Sequence, residues 1–116
     1  MKENVIKTRS FAFSVKIVNL YKFLIAEKKE FVLSRQLLRS GTSIGAMVRE
    51  AEQAESRADF TYKFAIGLKE ANETDYWLDL LKETDYISAL EYNEIKNDIG
   101  EILKLLTSII KTSKSK

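Results

Sequence analysis

From Phe60 to Leu81, one line of residues repeats at alternating intervals of four and three: Phe60, Phe64, Gly67, Ala71, Thr74, Leu78 and Leu81. That spacing returns to one face of a helix with 3.6 residues per turn and to no face of a strand. A helix marked by such a stripe has to bury it against another element. The rest of the chain supplies partners of the same kind. Phe13, Ile17, Leu20 and Leu24, widened by Val18, Tyr21 and Ile25, mark a first helix from about Phe11 to Lys28. Leu37, Gly41, Ile44, Val48 and Ala51 mark a second, with Ser34 placed as its N-cap. Tyr92, Ile95, Ile99, Ile102, Leu106 and Ile109 mark a fourth.

The start signals agree with this division. Ser56 or Asp59 is placed to cap the third helix. Ser88-Ala89-Leu90-Glu91 has the form of a capping box, with Ile87 and Tyr92 at the positions of a hydrophobic staple. None of the 116 residues is proline, so nothing forces a break inside a helix. Three short connections between long helices imply antiparallel neighbours. The predicted fold is therefore all-α, an antiparallel up-down-up-down four-helix bundle. One domain covers residues 10–112, between a basic N-terminal tail (1–9) and a basic C-terminal tail (113–116).

Gly41 and Gly45 lie one turn apart inside the second helix, where each costs about 1 kcal/mol relative to alanine. A turn centred near residues 56–57 sets Gly45 level with Gly67, and Gly41 level with Ala71. These four residues are predicted to form a small-residue packing seam. The other reading of the same surface is a contact for a neighbouring subunit or ligand, through Ser40, Thr42 and Ser43.

Several chemistries are absent from the sequence. It contains no histidine and no cysteine, which removes the commonest general base, the commonest metal ligand and thiolate catalysis. All four glycines fall within predicted helices, so there is no phosphate-cradling loop. Glu50, Glu70 and Glu73 are candidates for a carboxylate metal site, but Glu70 and Glu73 lack the histidine of the Glu-x-x-His motif. Pairing with Arg35, Arg39 and Arg49 is the alternative for these acids, with Arg39 level with Glu73. The expectation is no enzyme activity, no cofactor and no metal. No segment reads as a signal peptide or membrane span, and a cysteine-free chain suits the cytoplasm.

Charge is distributed unevenly. Lys2, Lys7, Arg9, Lys111, Lys114 and Lys116 lie in the two tails with one acid, Glu3, whereas residues 10–110 hold thirteen basic and sixteen acidic side chains. The bundle topology brings both tails to one end. These six cations are the first candidates for nucleic-acid contact, and Arg35, Arg39 and Arg49 are the second. The neighbouring aromatics Tyr76 and Trp77 point about 100° apart. Core-edge packing is expected for Trp77, with an interface anchor as its alternative role. A wide apolar arc on helix one and a second apolar line on helix four (Leu103, Leu105, Ile110) point to self-association.

Gln36, Arg39, Ser43, Ile44, Glu50, Phe60, Leu68, Glu70, Glu73 and Thr74, in this order and spacing, carry a resemblance that extends over roughly residues 10–112. The chain resembles the bacterial four-helix-bundle family first noticed as proteins encoded in 23S rRNA intervening sequences (S23 type). It departs from that pattern at Met47, where the family often has Asn, and at Ala51, where many members have Gly. The resemblance implies a homopentamer of bundles around a central axis. A relative, the accessory variability determinant of diversity-generating retroelements, works with a reverse transcriptase and binds nucleic acid through basic surface. Two roles follow as expectations. One is a non-enzymatic homo-oligomeric scaffold for RNA, DNA or a ribonucleoprotein. The other is a protein-interaction module, with a partner such as a reverse transcriptase and no nucleic-acid role.

Overall fold

A computed structural model describes residues 1–115. It contains four helices: α1 (Lys2–Ala26), α2 (Leu33–Glu52), α3 (Arg57–Glu83) and α4 (Ala89–Lys114). Each packs against its neighbour in sequence, and α1 closes the bundle against α4. The body measures 47 × 21 × 19 Å, as expected for helices of 20–27 residues lying side by side. All-α four-helix architecture is thus the observed fold. The stripes meet in one core, which includes Phe13, Ile17, Leu24, Leu37, Ile44, Phe64, Leu78, Ile99 and Leu106.

The connections explain where the helices stop. Lys29 (φ 54°) and Asp85 (φ 64°) turn the chain through the left-handed region after α1 and α3. The following amides, of Glu30 and Tyr86, donate back to the carbonyls of Leu24 (3.0 Å) and Leu81 (2.9 Å), which closes each helix end. Ser56 caps α3 by accepting from the Asp59 amide at 3.0 Å. The capping box of α4 forms as its sequence indicates, with Ser88 and Glu91 exchanging two bonds of 3.1 Å.

α2 begins differently from the sequence expectation. Ser34 is not its N-cap. The Glu30 carboxylate reaches forward and accepts from the amides of Val32 (3.2 Å), Leu33 (3.0 Å) and Ser34 (2.6 Å). The Ser34 hydroxyl turns back to the Glu30 carbonyl at 2.7 Å. Burial pushes the Glu30 carboxyl up, but the amides of Leu33, Ser34 and Val32 outweigh it and hold it below its ordinary value.

The N-terminal segment also differs. Residues 2–9 are not a tail but the first turns of α1. Ile6 and Ser10 are buried there and extend the stripe of Phe13 and Ile17 at the same intervals of four and three. At the other end α4 runs on to Lys114, with Ser113 buried, so the C-terminal tail is shorter than its charge pattern suggests.

The four small residues do not form the expected single seam between α2 and α3, because the two glycines of α2 turn to another helix. A Cβ on Gly41 would lie 2.9 Å from both Cγ atoms of Ile17, and one on Gly45 would lie 3.3 Å from Ser14 Oγ and 3.4 Å from the Ser10 carbonyl. Both glycines therefore face α1. Gly67 faces α2 at Met47 and the Ile44 carbonyl. The predicted level of α3 against α2 is correct, since Lys63 bonds Glu50 at 3.2 Å and the hydroxyls of Thr74 and Ser40 meet at 2.9 Å. The rotation of α2 about its own axis is what differs, because Ile44 and Met47 occupy the side toward Gly67.

Candidate nucleic-acid interface

The end of the bundle brings the start of α1 and the end of α4 together, as the topology requires. Lys2 Nζ donates to Ser108 Oγ of α4. Two of the six tail cations are already paired within the chain. Lys7 contacts Glu52 at 3.1 Å, and Arg9 contacts Glu101. Lys111 and Lys114 are exposed in the last turn of α4, where they complement the helix dipole. Glu3, Glu52, Glu55 and Asp59 share this end, so its field is mixed. Lys116 lies outside the described residues.

The arginines of α2 have a different setting. Arg35, Arg39 and Arg49 are exposed, and none has a carboxylate within ion-pair distance among the described residues. The expected partners are engaged elsewhere. Glu50 holds Lys63, and Glu73 accepts from the Trp77 indole at 3.0 Å. The ion pair expected between Arg39 and Glu73 does not form. Glu50, Glu70 and Glu73 do not assemble a site either, and no group of three or more metal-ligating side chains lies together among the described residues.

At 100° per residue, Arg35, Arg39, Thr42, Ala46 and Arg49 fall within about 80° of arc, along about 21 Å of helix. Thr42 and Ser43 satisfy their hydroxyls on the carbonyls of Leu38 (2.7 Å) and Arg39 (2.6 Å). Arg49 lies over the ring of Phe11, 5.4 Å from its centroid, and this contact steadies the guanidinium against the α1 surface. Residues 31–49 contain these three arginines and no Asp or Glu. The face is therefore cationic and small-featured, and the acid at its end, Glu50, is held by Lys63. The tail cluster draws attention in the sequence because six cations stand there against one acid. The acid-free run from 31 to 49 is the signal that identifies the better surface.

Trp77 sits at the core edge as expected, while Tyr62 and Tyr76 are more than half exposed on α3. A second polar cluster ties α3 to α4. Lys96 Nζ lies 2.6 Å from Asp75 and 2.8 Å from Asp79, and the Tyr92 hydroxyl donates to Asp79 at 2.6 Å. The Asp75 contact is an ion pair, and this oxygen has no other partner. Burial lowers the Lys96 pKa, but the two carboxylates more than reverse it and raise it above its ordinary value. Burial raises that of Asp79, and the bonds from Lys96 and Tyr92 bring it below the usual carboxylate value. Among the described residues, no helix is long and apolar enough to cross a membrane.

Among known families, residues 2–108 match the one described as 23S rRNA-intervening sequence protein. Among solved structures, the chain is similar to a protein of unknown function from the S23 ribosomal protein family of Bacteroides thetaiotaomicron. The two share 66% identity over 96% of this chain and 99% of that chain, with a TM-score of 0.94. No curated protein matches.

Proposed function

Because the chain belongs to the family of 23S rRNA-intervening sequence proteins, we propose that it is a non-enzymatic cytoplasmic scaffold that binds the phosphate backbone of structured RNA, free or in a ribonucleoprotein, along the outer face of α2. One observation carries this reading: Arg35, Arg39 and Arg49 are exposed, lack carboxylate partners among the described residues, and lie in a run, residues 31–49, that contains no acid. Arginine forks match phosphate oxygens in a bidentate way, and small neighbours let a backbone approach. Such contacts give affinity without sequence readout.

The scaffold acts as a homo-oligomer in this proposal, with the pentamer as its assembly. Exposed Val5 and Val15 on α1, and Tyr62 and Tyr76 on α3, support self-association as apolar surface left uncovered by the single bundle. A ring would repeat the arginine face around its axis and multiply weak contacts. Exposed Tyr62 and Tyr76 also favour a second reading, a protein-interaction module with no nucleic-acid role.

Titration of a labelled structured RNA separates the two readings. The R35Q/R39Q/R49Q triple variant is expected to lose binding, and a protein shortened by residues 111–116 to keep most of it. Equal binding by parent and triple variant would overturn the assignment to α2.

A further inference from the structure

We propose that the cleft between α1 and α4 docks a basic amphipathic helix of a protein partner. This does not depend on nucleic-acid binding. The α1–α4 seam is the most sparsely packed of the four helix pairs. It is crossed by ion pairs, Lys16 with Asp98 (2.5 Å) and Arg9 with Glu101. Two cavities, of about 120 and 400 Å³, open on either side of Lys16 and Asp98, and both are lined by these two residues.

The larger cavity has an apolar floor and an acidic wall. Leu20, Phe23, Ile87 and Ile95 form the floor, and Glu91, Glu94 and Asp98 stand along α4. Lys16 is the one cation lining it. Glu94 has no ion-pair or hydrogen-bond partner among the described residues. Leu90, 75% exposed, lies on α4 about 40° from Glu94 and extends the apolar surface outward.

An occupant of this cleft needs apolar side chains one turn apart for the floor and Lys or Arg for the wall, which is the pattern of a basic amphipathic helix. The cationic face of α2 in a second copy is a poor fit, because Thr42 and Ala46 stand between its arginines and offer little to fill the floor. α2 and α4 are not neighbours in the bundle, so the arginine face and the cleft are available together.

The test uses a fluorescein-labelled peptide of about four helical turns, with leucine at intervals of three and four and lysine elsewhere. Its controls are a scrambled peptide of the same composition and a version with glutamate for lysine. Fluorescence anisotropy with the full chain at about 0.1 M salt is expected to show binding of the amphipathic lysine peptide only. E94K and N19K, both at exposed rim positions, are expected to weaken it roughly tenfold each with unchanged thermal melting. The R35Q/R39Q/R49Q variant is expected to bind like the parent. Equal binding of the scrambled peptide, or parent-like affinity in both rim variants, would overturn the proposal. So would a change in the protein's own oligomeric mass in E94K, which would assign the cleft to a second copy of the chain.

Discussion

Gly41 on α2 lies so close to Ile17 on α1 that a methyl group in its place would stand 2.9 Å from both Cγ atoms of the isoleucine. Ile17 is fully buried and β-branched, so it has little freedom to move aside. The glycine accepts its helix-propensity cost to bring two backbones together. G41A is therefore expected to destabilise by about 1–3 kcal/mol, despite the propensity gain. Gly100, where an added Cβ would meet nothing within 4 Å, is the control. G100A is expected to stabilise by up to about 1 kcal/mol. Urea denaturation of both variants checks the pair, and a stabilising G41A would contradict the close approach.

The Glu30 cap gives α2 a pH-dependent start. Its pKa lies below the ordinary 4.5 in the folded chain, so its contribution is full above that value and is lost as pH falls through the folded pKa. E30Q is expected to cost about 1–2 kcal/mol at pH 7. The gap between parent and variant is expected to narrow as pH is taken below 4.5. Chemical denaturation across this range reads it directly, and a gap independent of pH would count against the cap.

Lys96 neutralises two carboxylates at the α3–α4 seam. The side chains are about a third to a half exposed, so solvent screening limits the effect of K96M to about 1 kcal/mol at neutral pH. The depressed Asp79 pKa means that the parent loses stability as acid protonates that carboxylate. Removing the lysine removes much of the depression, so K96M is expected to show a shallower decline in stability on acidification. Parallel acid profiles for the two proteins would contradict the pairing.

The number of helices, their antiparallel order and the four stripes, the first without its N-terminal end, were legible from spacing alone. Ser88 with Glu91, and Ser56 with Asp59, marked two helix starts because caps are local. Glu30 was not legible as a cap, since its bonds depend on the path of the chain through Lys29. Ile6 and Ser10 continued the first stripe, but the density of charge around them obscured it. The partner of the glycine seam depended on the rotation of α2, which a level-by-level pairing of two helices does not contain. The arginines were visible as candidates. Their lack of carboxylate partners was a tertiary fact, decided by Lys63 taking Glu50 and Trp77 taking Glu73.

The most direct measurement of the central claim is the salt dependence of RNA binding by the parent and by R35Q, R39Q and R49Q singly. If α2 holds the backbone, the logarithm of affinity falls linearly with the logarithm of salt. Each substitution then makes that slope shallower by about 0.7–0.9, the share of one neutralised phosphate. Slopes unchanged in all three variants, or no binding by the parent at moderate salt, would contradict the account.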